Sequence, residues 1–105
     1  MTDLEYIIAN LSDEDILCQI AEEAAELAQA ALKLRRAITQ TNPTPVTVDE
    51  AIENLLEEYG DVVGAFWVYA VKNKAEDAIT EGISNQAYAK YSRWARRMKE
   101  GKSHD

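Results

Sequence analysis

The sequence predicts an all-α protein, an antiparallel four-helix-type bundle of two long helices with shorter helices at each end. Three observations support this prediction. The 105 residues include only four glycines and two prolines, whereas residues with high helix propensity are abundant. Apolar residues recur every three or four positions along two long stretches, as they do on one face of a helix. One proline-containing segment separates these stretches, so the chain can reverse direction there.

Length and charge limit the domain count and the partners. The chain has the size of one domain with one small core, so we expect a single domain over residues 1–105 that assembles as a homodimer or homotetramer. The net charge of −8 argues against nucleic-acid binding. No apolar run reaches membrane-spanning length and the first residues are not basic, so we expect a cytoplasmic protein without a signal peptide. The only cysteine, Cys18, is expected to be buried and unreactive.

The N-terminal half is predicted to form a short helix and then a long one. Residues 1–11 carry apolar residues suited to a short helix on the bundle. Ser12 can cap backbone N–H groups, and three acidic residues follow it, so the first long helix is expected over about 13–39. Its predicted buried stripe consists of Ile16, Ile20, Ala24, Leu27, Ala31, Leu34 and Ile38.

A loop and a second long helix follow. Residues 39–49 contain both prolines and should form the loop. Thr47 and Glu50 have the spacing of a capping box, which predicts the second long helix over about 48–74. The apolar run 66–69 is wider than one stripe, which indicates an oligomer interface or a ligand pocket in addition to the core.

The C-terminal part is predicted to be interrupted. Residues 75–83 are mostly polar, and Gly82 is expected to break the helix, so the last helix is expected over about 84–100. That helix carries the main basic cluster, which consists of Lys90, Arg93, Arg96, Arg97 and Lys99. The tail 101–105 should fray, which makes His104 a poor catalytic candidate.

Two acidic pairs lie on the two long helices. Glu23 and Glu26 are three residues apart, so they share one side of the first helix. Glu58 and Asp61 have the same spacing on the second helix. Each pair lies at the edge of an apolar stripe, whereas Glu22 points nearly away from the core. If the helices pack antiparallel, the four carboxylates can converge, and their repulsion then requires a cation.

The ligand chemistry favours Mg²⁺, with Mn²⁺ as a substitute, because the donors are hard carboxylate oxygens without histidine. A di-iron bundle would need Glu-x-x-His in two helices, and neither acidic pair includes a histidine. A calcium-binding loop is excluded because the acidic pairs are predicted to lie within helices. Acidic residues on helices most often form a solvated face. The matching positions of the two pairs favour a site instead. Gly60 and Gly64 share one helix face, where another backbone or a ligand can come near.

This acidic pattern resembles that of a known enzyme family, the MazG-like, all-α nucleoside triphosphate pyrophosphohydrolases. The first part of the resemblance is Glu22-Glu23-x-x-Glu26 followed after a spacer by Glu58-x-x-Asp61. Residues 57–62, Glu-Glu-Tyr-Gly-Asp-Val, are also very similar to the second motif of the family. The segment Lys90-Tyr-Ser-Arg93-Trp94 resembles a basic segment that some members carry. The resemblance covers roughly residues 12–98 and leaves the preferred base and sugar open.

The resemblance implies Mg²⁺-dependent hydrolysis of a nucleoside or deoxynucleoside triphosphate between the α- and β-phosphates. The products are a nucleoside monophosphate and pyrophosphate, and removal of non-canonical nucleotides is the role that it suggests. It implies that the metal is held by Glu23, Glu26, Glu58 and Asp61. The catalytic candidates are Glu23 and Glu58, with Glu22 as the base or as the residue that orients the attacking water.

Substrate-binding candidates lie outside the acidic clusters. Lys90 and Arg93 are candidates for binding the phosphate tail, from the same or a neighbouring subunit, unless they only balance local acidity. Lys72 lies on the carboxylate side of the second helix but roughly 16 Å along the axis from Asp61, so it is a weaker candidate. Trp67 is a candidate for stacking on the base, with core packing as its alternative.

Two rival interpretations stay open. One is an enzyme similar to the phosphoribosyl-ATP pyrophosphohydrolases of histidine synthesis, which share the helical architecture. The other is a non-catalytic helical oligomer, with a structural metal site or with none.

Overall fold

A computed structural model describes residues 1–40 and 45–101. In this part of the chain the protein is all-helical and has no strand. The helices are α1 (Asp3–Asn10), α2 (Asp13–Thr39), α3 (Val48–Lys72) and α4 (Glu76–Glu100). The all-α prediction is therefore confirmed. Part of the predicted loop and the tail with His104 lie outside the described residues.

Residue contacts divide the chain into two compact units, Met1–Asn73 and Lys74–Asp105. In the first unit, α2 packs along α3, and α1 also packs against α3. No described helix combines the length and the apolar character needed to cross a membrane.

The predicted starts of α2 and α3 are correct. The Ser12 hydroxyl accepts a hydrogen bond from the Asp15 N–H at 3.1 Å, so Ser12 caps α2. At the start of α3, the Thr47 hydroxyl accepts from the Glu50 N–H at 3.1 Å, and the Glu50 carboxylate accepts from the Thr47 N–H at 2.9 Å. This is a complete capping box, which satisfies two backbone donors that the helix itself leaves free.

The α2 and α3 helices are antiparallel. At the start of α2, the Asp13 carboxylate lies 3.5 Å from the Lys72 ammonium at the end of α3. It also accepts a hydrogen bond from the Asn73 amide at 3.4 Å. The Lys72 ammonium also donates a hydrogen bond to the Leu11 carbonyl. These contacts hold the start of α2 beside the end of α3.

The contact between α2 and α3 follows one continuous seam. Its positions are buried or half-buried and alternate in spacing between three and four residues, an average of about 3.5, as in coiled coils. In α2 the seam residues are Asp13, Ile16, Ile20, Glu23, Leu27, Ala30, Leu34 and Ala37. In α3 they are Ala51, Leu55, Glu58, Val62, Ala65, Tyr69 and Lys72.

The seam gives this helix pair two distinct sides. With about 100° per residue, the positions just before the seam residues of both antiparallel helices lie on one side, and the positions just after them lie on the other. The first side, the polar face, carries Gln19, Glu22, Glu26, Lys33, Arg36, Asn54, Glu57, Asp61 and Gly64. The second, the apolar face, carries Leu17, Ala21, Ala24, Ala28, Ala31, Ile38, Ile52, Leu56, Tyr59, Val63 and Phe66, all exposed.

The predicted stripe of α2 is correct at Ile16, Ile20, Leu27 and Leu34 but wrong at Ala24, Ala31 and Ile38. Ala30 and Ala37 are buried, whereas Ala31 and Ile38 belong to the exposed apolar face. The larger Ile38 side chain suggested burial, but the close contact with α3 selects the alanines one residue earlier. Ala24 is exposed for the same reason. Cys18 is also exposed, against expectation, because it lies about 200° around the helix from Ile16.

The predicted break at Gly82 is wrong as well, because α4 is continuous from Glu76. A glycine inside a helix costs about 1 kcal/mol relative to alanine but keeps its backbone hydrogen bonds, so one glycine does not end a helix. In contrast, α3 ends at Lys72, two residues earlier than expected. Lys74 has a left-handed φ of 52°, which terminates the helix.

Most large apolar residues of α4 are exposed, whereas Ile79 is half-buried. The exposed ones include Ile83, Tyr88, Tyr91, Trp94 and Met98. Tyr88 and Tyr91 form an edge-to-face pair with ring centres 6.4 Å apart, and the Lys90 ammonium lies 5.5 Å from the centre of the Trp94 ring. The basic cluster and the aromatic residues of α4 are thus interleaved on one helix.

Candidate functional site

Three predicted carboxylates meet between α2 and α3. Glu23 and Glu26 from α2 and Glu58 from α3 each offer an oxygen atom that lies within 4.8 Å of the other two. Glu23 and Glu26 are one turn apart, and the antiparallel packing brings Glu58 to the same level. These three residues are called the acidic trio below. Asp61 is not part of it, although its charge is near enough to act on Glu23.

Two members of the acidic trio occupy seam positions. Glu23 is half-buried between Ile20 and Leu27 in the seam of α2, and Glu58 is half-buried between Leu55 and Val62 in the seam of α3. Apolar side chains stabilise such a contact, whereas two nearby carboxylates weaken it. The sequence analysis placed both residues at the edge of the apolar stripe, so the observed location is more central than predicted.

Glu58 carries the clearest unsatisfied group of the site. Its Oε2 atom is buried and has no hydrogen-bond partner in the described structure. A buried acceptor without a partner typically costs about 1–3 kcal/mol. A bound cation or donor would remove this cost, so the atom indicates where a positively charged ligand fits.

The electrostatics of Glu23 point in the same direction. Partial burial of its carboxyl group, a hydrogen bond with Glu26, and the negative charges of Glu26 and Asp61 together raise the pKa of Glu23 above its ordinary value of 4.5. The hydrogen bond from the Gln19 amide, at 3.4 Å, opposes this rise. The surroundings of Glu23 therefore disfavour its negatively charged form, although the site brings several carboxylates together.

The donor set suits a hard divalent cation. Carboxylate oxygens are the ligands that Mg²⁺ and Mn²⁺ prefer, and Mg²⁺ typically uses one or two carboxylates together with water and substrate phosphates. The acidic trio provides such oxygens from two helices and leaves room for further ligands, because Glu26 is exposed.

A basic pocket adjoins the acidic trio toward the end of α2 and the start of α3. Its volume is about 470 Å³, which is within the usual range for ligand sites. Glu26 and Glu58 line one part of it, and its other walls include Lys33, Arg36 and Asn54. Ala30 lies between these two parts, and its small side chain leaves depth. The pocket thus combines carboxylates with cationic and amide groups.

A second, apolar pocket adjoins the acidic trio in the opposite direction along the helices, toward the start of α2. Its volume is about 370 Å³. Glu23, Asp61 and Gln19 provide its polar groups. Its other walls are small or apolar and consist of Ile7, Leu11, Ile16, Gly60, Gly64, Ala65 and Val68. Each pocket therefore contains part of the predicted carboxylate set.

The remaining predicted site residues are not members of the acidic trio. Glu22 is exposed on the polar face. Lys72 is engaged by the Leu11 carbonyl and Asp13 at the end of the helix pair. Trp67 is 45% exposed on α3. Lys90 and Arg93 are exposed on α4, in the second unit. Substrate binding by Lys72, Trp67, Lys90 and Arg93 stays a prediction.

Sequence reasoning missed Lys33, Arg36 and Asn54 as pocket residues. The available signal was spacing: Lys33 follows Glu26 by seven residues, which is two turns on the same side, and Asn54 precedes Glu58 by one turn.

Comparison of the chain with protein-family models, curated proteins and solved structures finds no match.

The raised pKa of Glu23 predicts how stability depends on pH in the metal-free protein. Stability associated with protonated Glu23 is present below pH 4.5 and is lost as the pH rises through the raised pKa. Glu23→Gln removes this loss. Thermal unfolding in EDTA should therefore give the variant a higher midpoint than wild type at pH 7, with a smaller difference at pH 4.

Glu53→Gln is the matched control, because Glu53 is an exposed residue of α3 away from the seam. It should show no comparable pH-dependent gain. A Glu23→Gln midpoint equal to or below that of wild type at pH 7 would contradict the electrostatic account of the site.

Proposed function

We propose that the protein is a Mg²⁺-dependent nucleoside triphosphate pyrophosphohydrolase of the MazG-like type. It hydrolyses a nucleoside or deoxynucleoside triphosphate between the α- and β-phosphates and releases a nucleoside monophosphate and pyrophosphate. The observation that carries the proposal is the acidic trio in the helix seam, with the partnerless oxygen of Glu58, beside a pocket that contains Lys33 and Arg36.

The proposal assigns cation binding to Glu23, Glu26, Glu58 and Asp61. The acidic trio supplies the converging oxygens, and Asp61 lines the pocket that Glu23 also lines. When bound, the cation neutralises phosphate charge and makes water a better nucleophile. Without it, a triphosphate would be repelled by the carboxylates.

Glu22 is the proposed general base. It is exposed on the polar face, four residues and therefore about one turn before Glu26, so water can reach it. In the proposed step, the oxygen of a water molecule forms a bond to one of the two phosphorus atoms of the anhydride between the α- and β-phosphates. Its proton passes to Glu22, and the bridging P–O bond breaks with its electron pair leaving on the departing phosphate group. We place the reaction in the cytoplasm, because nucleoside triphosphates occur there.

The position of the acidic trio favours an enzyme over a purely structural bundle. A structural role is served best by apolar residues in the seam, because they stabilise the contact between α2 and α3. Carboxylates at these positions weaken the fold, and such a cost is common where residues are retained for function.

We further propose that the protein forms a homo-oligomer through its apolar face. This face repeats the three-and-four spacing of a helix contact on both α2 and α3, yet Leu56 is 65% and Val63 is 49% exposed. A contiguous apolar surface of this kind typically marks a protein interface. The same face of a second copy matches it in length and character, as in an isologous dimer.

The activity is tested by measuring pyrophosphate and phosphate release from canonical and modified nucleotides with Mg²⁺, Mn²⁺ or EDTA. Wild type should release pyrophosphate only with metal. Glu58→Gln should lower the rate by about 100-fold or more, because it removes one ligand charge from the cation site. Glu53→Gln should retain the wild-type rate.

Orthophosphate alone would mean that another bond is cut. Turnover of phosphoribosyl-ATP without turnover of ordinary nucleotides would favour the histidine-pathway interpretation. A folded Glu58→Gln variant with full activity would refute the assigned site, and a wild-type protein inactive on every substrate would favour the non-catalytic bundle.

The assembly is tested by light scattering on wild type and Val63→Asp. Wild type should have at least twice the chain mass of 11.8 kDa. Val63→Asp should give the monomer mass with unchanged helical content, because a charge in an apolar interface opposes association but is tolerated on an exposed surface. Val63→Ala should stay oligomeric. A monomeric wild type, or an aspartate variant of unchanged mass, would contradict the proposed interface.

A further inference from the structure

We infer that the substrate lies along the α2–α3 pair in one direction, with its β,γ-pyrophosphate end in the basic pocket and its nucleoside in the apolar pocket. The inference rests on the proposed function and adds to it. It assigns Lys33 to pyrophosphate binding and Gln19 to nucleoside binding, and it explains why glycine occupies positions 60 and 64 of α3.

The basic pocket fits the pyrophosphate end. Lys33 is half-buried and forms no ion pair with a carboxylate within the described residues. It lies two turns, or about 10 Å along the axis, from Glu26, on the same side of α2. An ammonium group that is partly removed from water and forms no ion pair favours an anionic ligand. Arg36, on the same wall, adds a second positive charge to the pocket.

The apolar pocket fits the nucleoside. Gly60 and Gly64 both line it, although a glycine inside a helix costs about 1 kcal/mol relative to alanine. Neither glycine has a positive φ, and an added Cβ at either position would meet no atom within 4 Å. Internal packing therefore does not require glycine there. Open space beside Val68 suits a flat ring, and Gln19 offers an amide to its polar edge.

The acidic trio fixes the order of the two ends. Glu26 and Glu58 line the basic pocket, whereas Glu23 lines the apolar pocket. A cation held by the trio thus lies between the two pockets, at the level of the bond that is cut. The reverse direction would place phosphates against apolar walls and would leave Lys33 without an anion, so it is disfavoured.

The direction is tested by calorimetric binding of two probes to the full chain with Mg²⁺. The first probe is inorganic tripolyphosphate, and the second is the nucleoside monophosphate of the base that binds wild type best in a panel. Lys33→Gln should weaken tripolyphosphate binding about tenfold, the loss expected for one charge-assisted hydrogen bond, and should change monophosphate binding less than about twofold. Gly64→Leu should do the reverse, because its side chain fills the apolar pocket.

Lys99→Gln and Gly82→Leu are the matched controls. They make the same chemical changes on α4, and Gly82 also has open space around an added Cβ. Neither should alter the binding of either probe. Helical content and the unfolding midpoint verify that each variant is folded.

The outcomes separate this inference from the proposed function. If wild type releases pyrophosphate but Lys33→Gln binds tripolyphosphate normally, or loses monophosphate binding instead, the direction is wrong and the function stands. Unchanged monophosphate binding by Gly64→Leu would likewise remove the apolar pocket from the nucleoside site. A wild-type protein that binds neither probe and hydrolyses nothing would overturn both.

Discussion

The repulsion between carboxylates in the seam of α2 and α3 is the constraint on which the rest of the structure depends. Glu23 and Glu58 take positions where an apolar side chain would hold the helices together. The Ser12 cap of α2, the capping box of α3, the buried alanines and the contacts of Asp13 stabilise the pair on both sides of this point. The weakest level of the helix pair is therefore also the level with the greatest capacity for a cation.

The two sides of the helix pair separate catalysis from assembly in this account. Both pockets open among the polar-face positions next to the seam, and α1 contributes Ile7 and Leu11 to one of them. The residues that define the apolar face are exposed between Leu17 and Ile38 of α2 and between Ile52 and Phe66 of α3, whereas Ala70, further along the same side, is buried. Because one side uses the position just before each seam residue and the other uses the position just after it, each helix can serve both purposes with the same repeat. A second copy on the apolar face would leave the polar face free for substrate.

The sequence predicted the helical class, the caps at Ser12 and Thr47 and a convergence of four carboxylates, of which three meet, because these features depend on local spacing and turn chemistry. It did not predict that Ala30 and Ala37 take the seam positions in place of Ala31 and Ile38, since neighbouring residues compete for burial and only the partner helix decides between them. Continuity through Gly82 was missed because one glycine lowers helix stability without preventing the helix. The pocket role of Lys33 depends on which side of α2 faces α3, and residue type alone does not determine that.

Thermal unfolding of wild type and Glu58→Leu, each with EDTA and with Mg²⁺, tests the central claim most directly. The account predicts that Glu58→Leu is more stable than wild type in EDTA, by about 1–3 kcal/mol, because leucine fits the seam and removes the buried oxygen without a partner. It also predicts that Mg²⁺ raises the midpoint of wild type but not that of the variant. A variant less stable than wild type in EDTA, or a wild type indifferent to Mg²⁺, would contradict the claim that the seam carboxylates are retained for a cation.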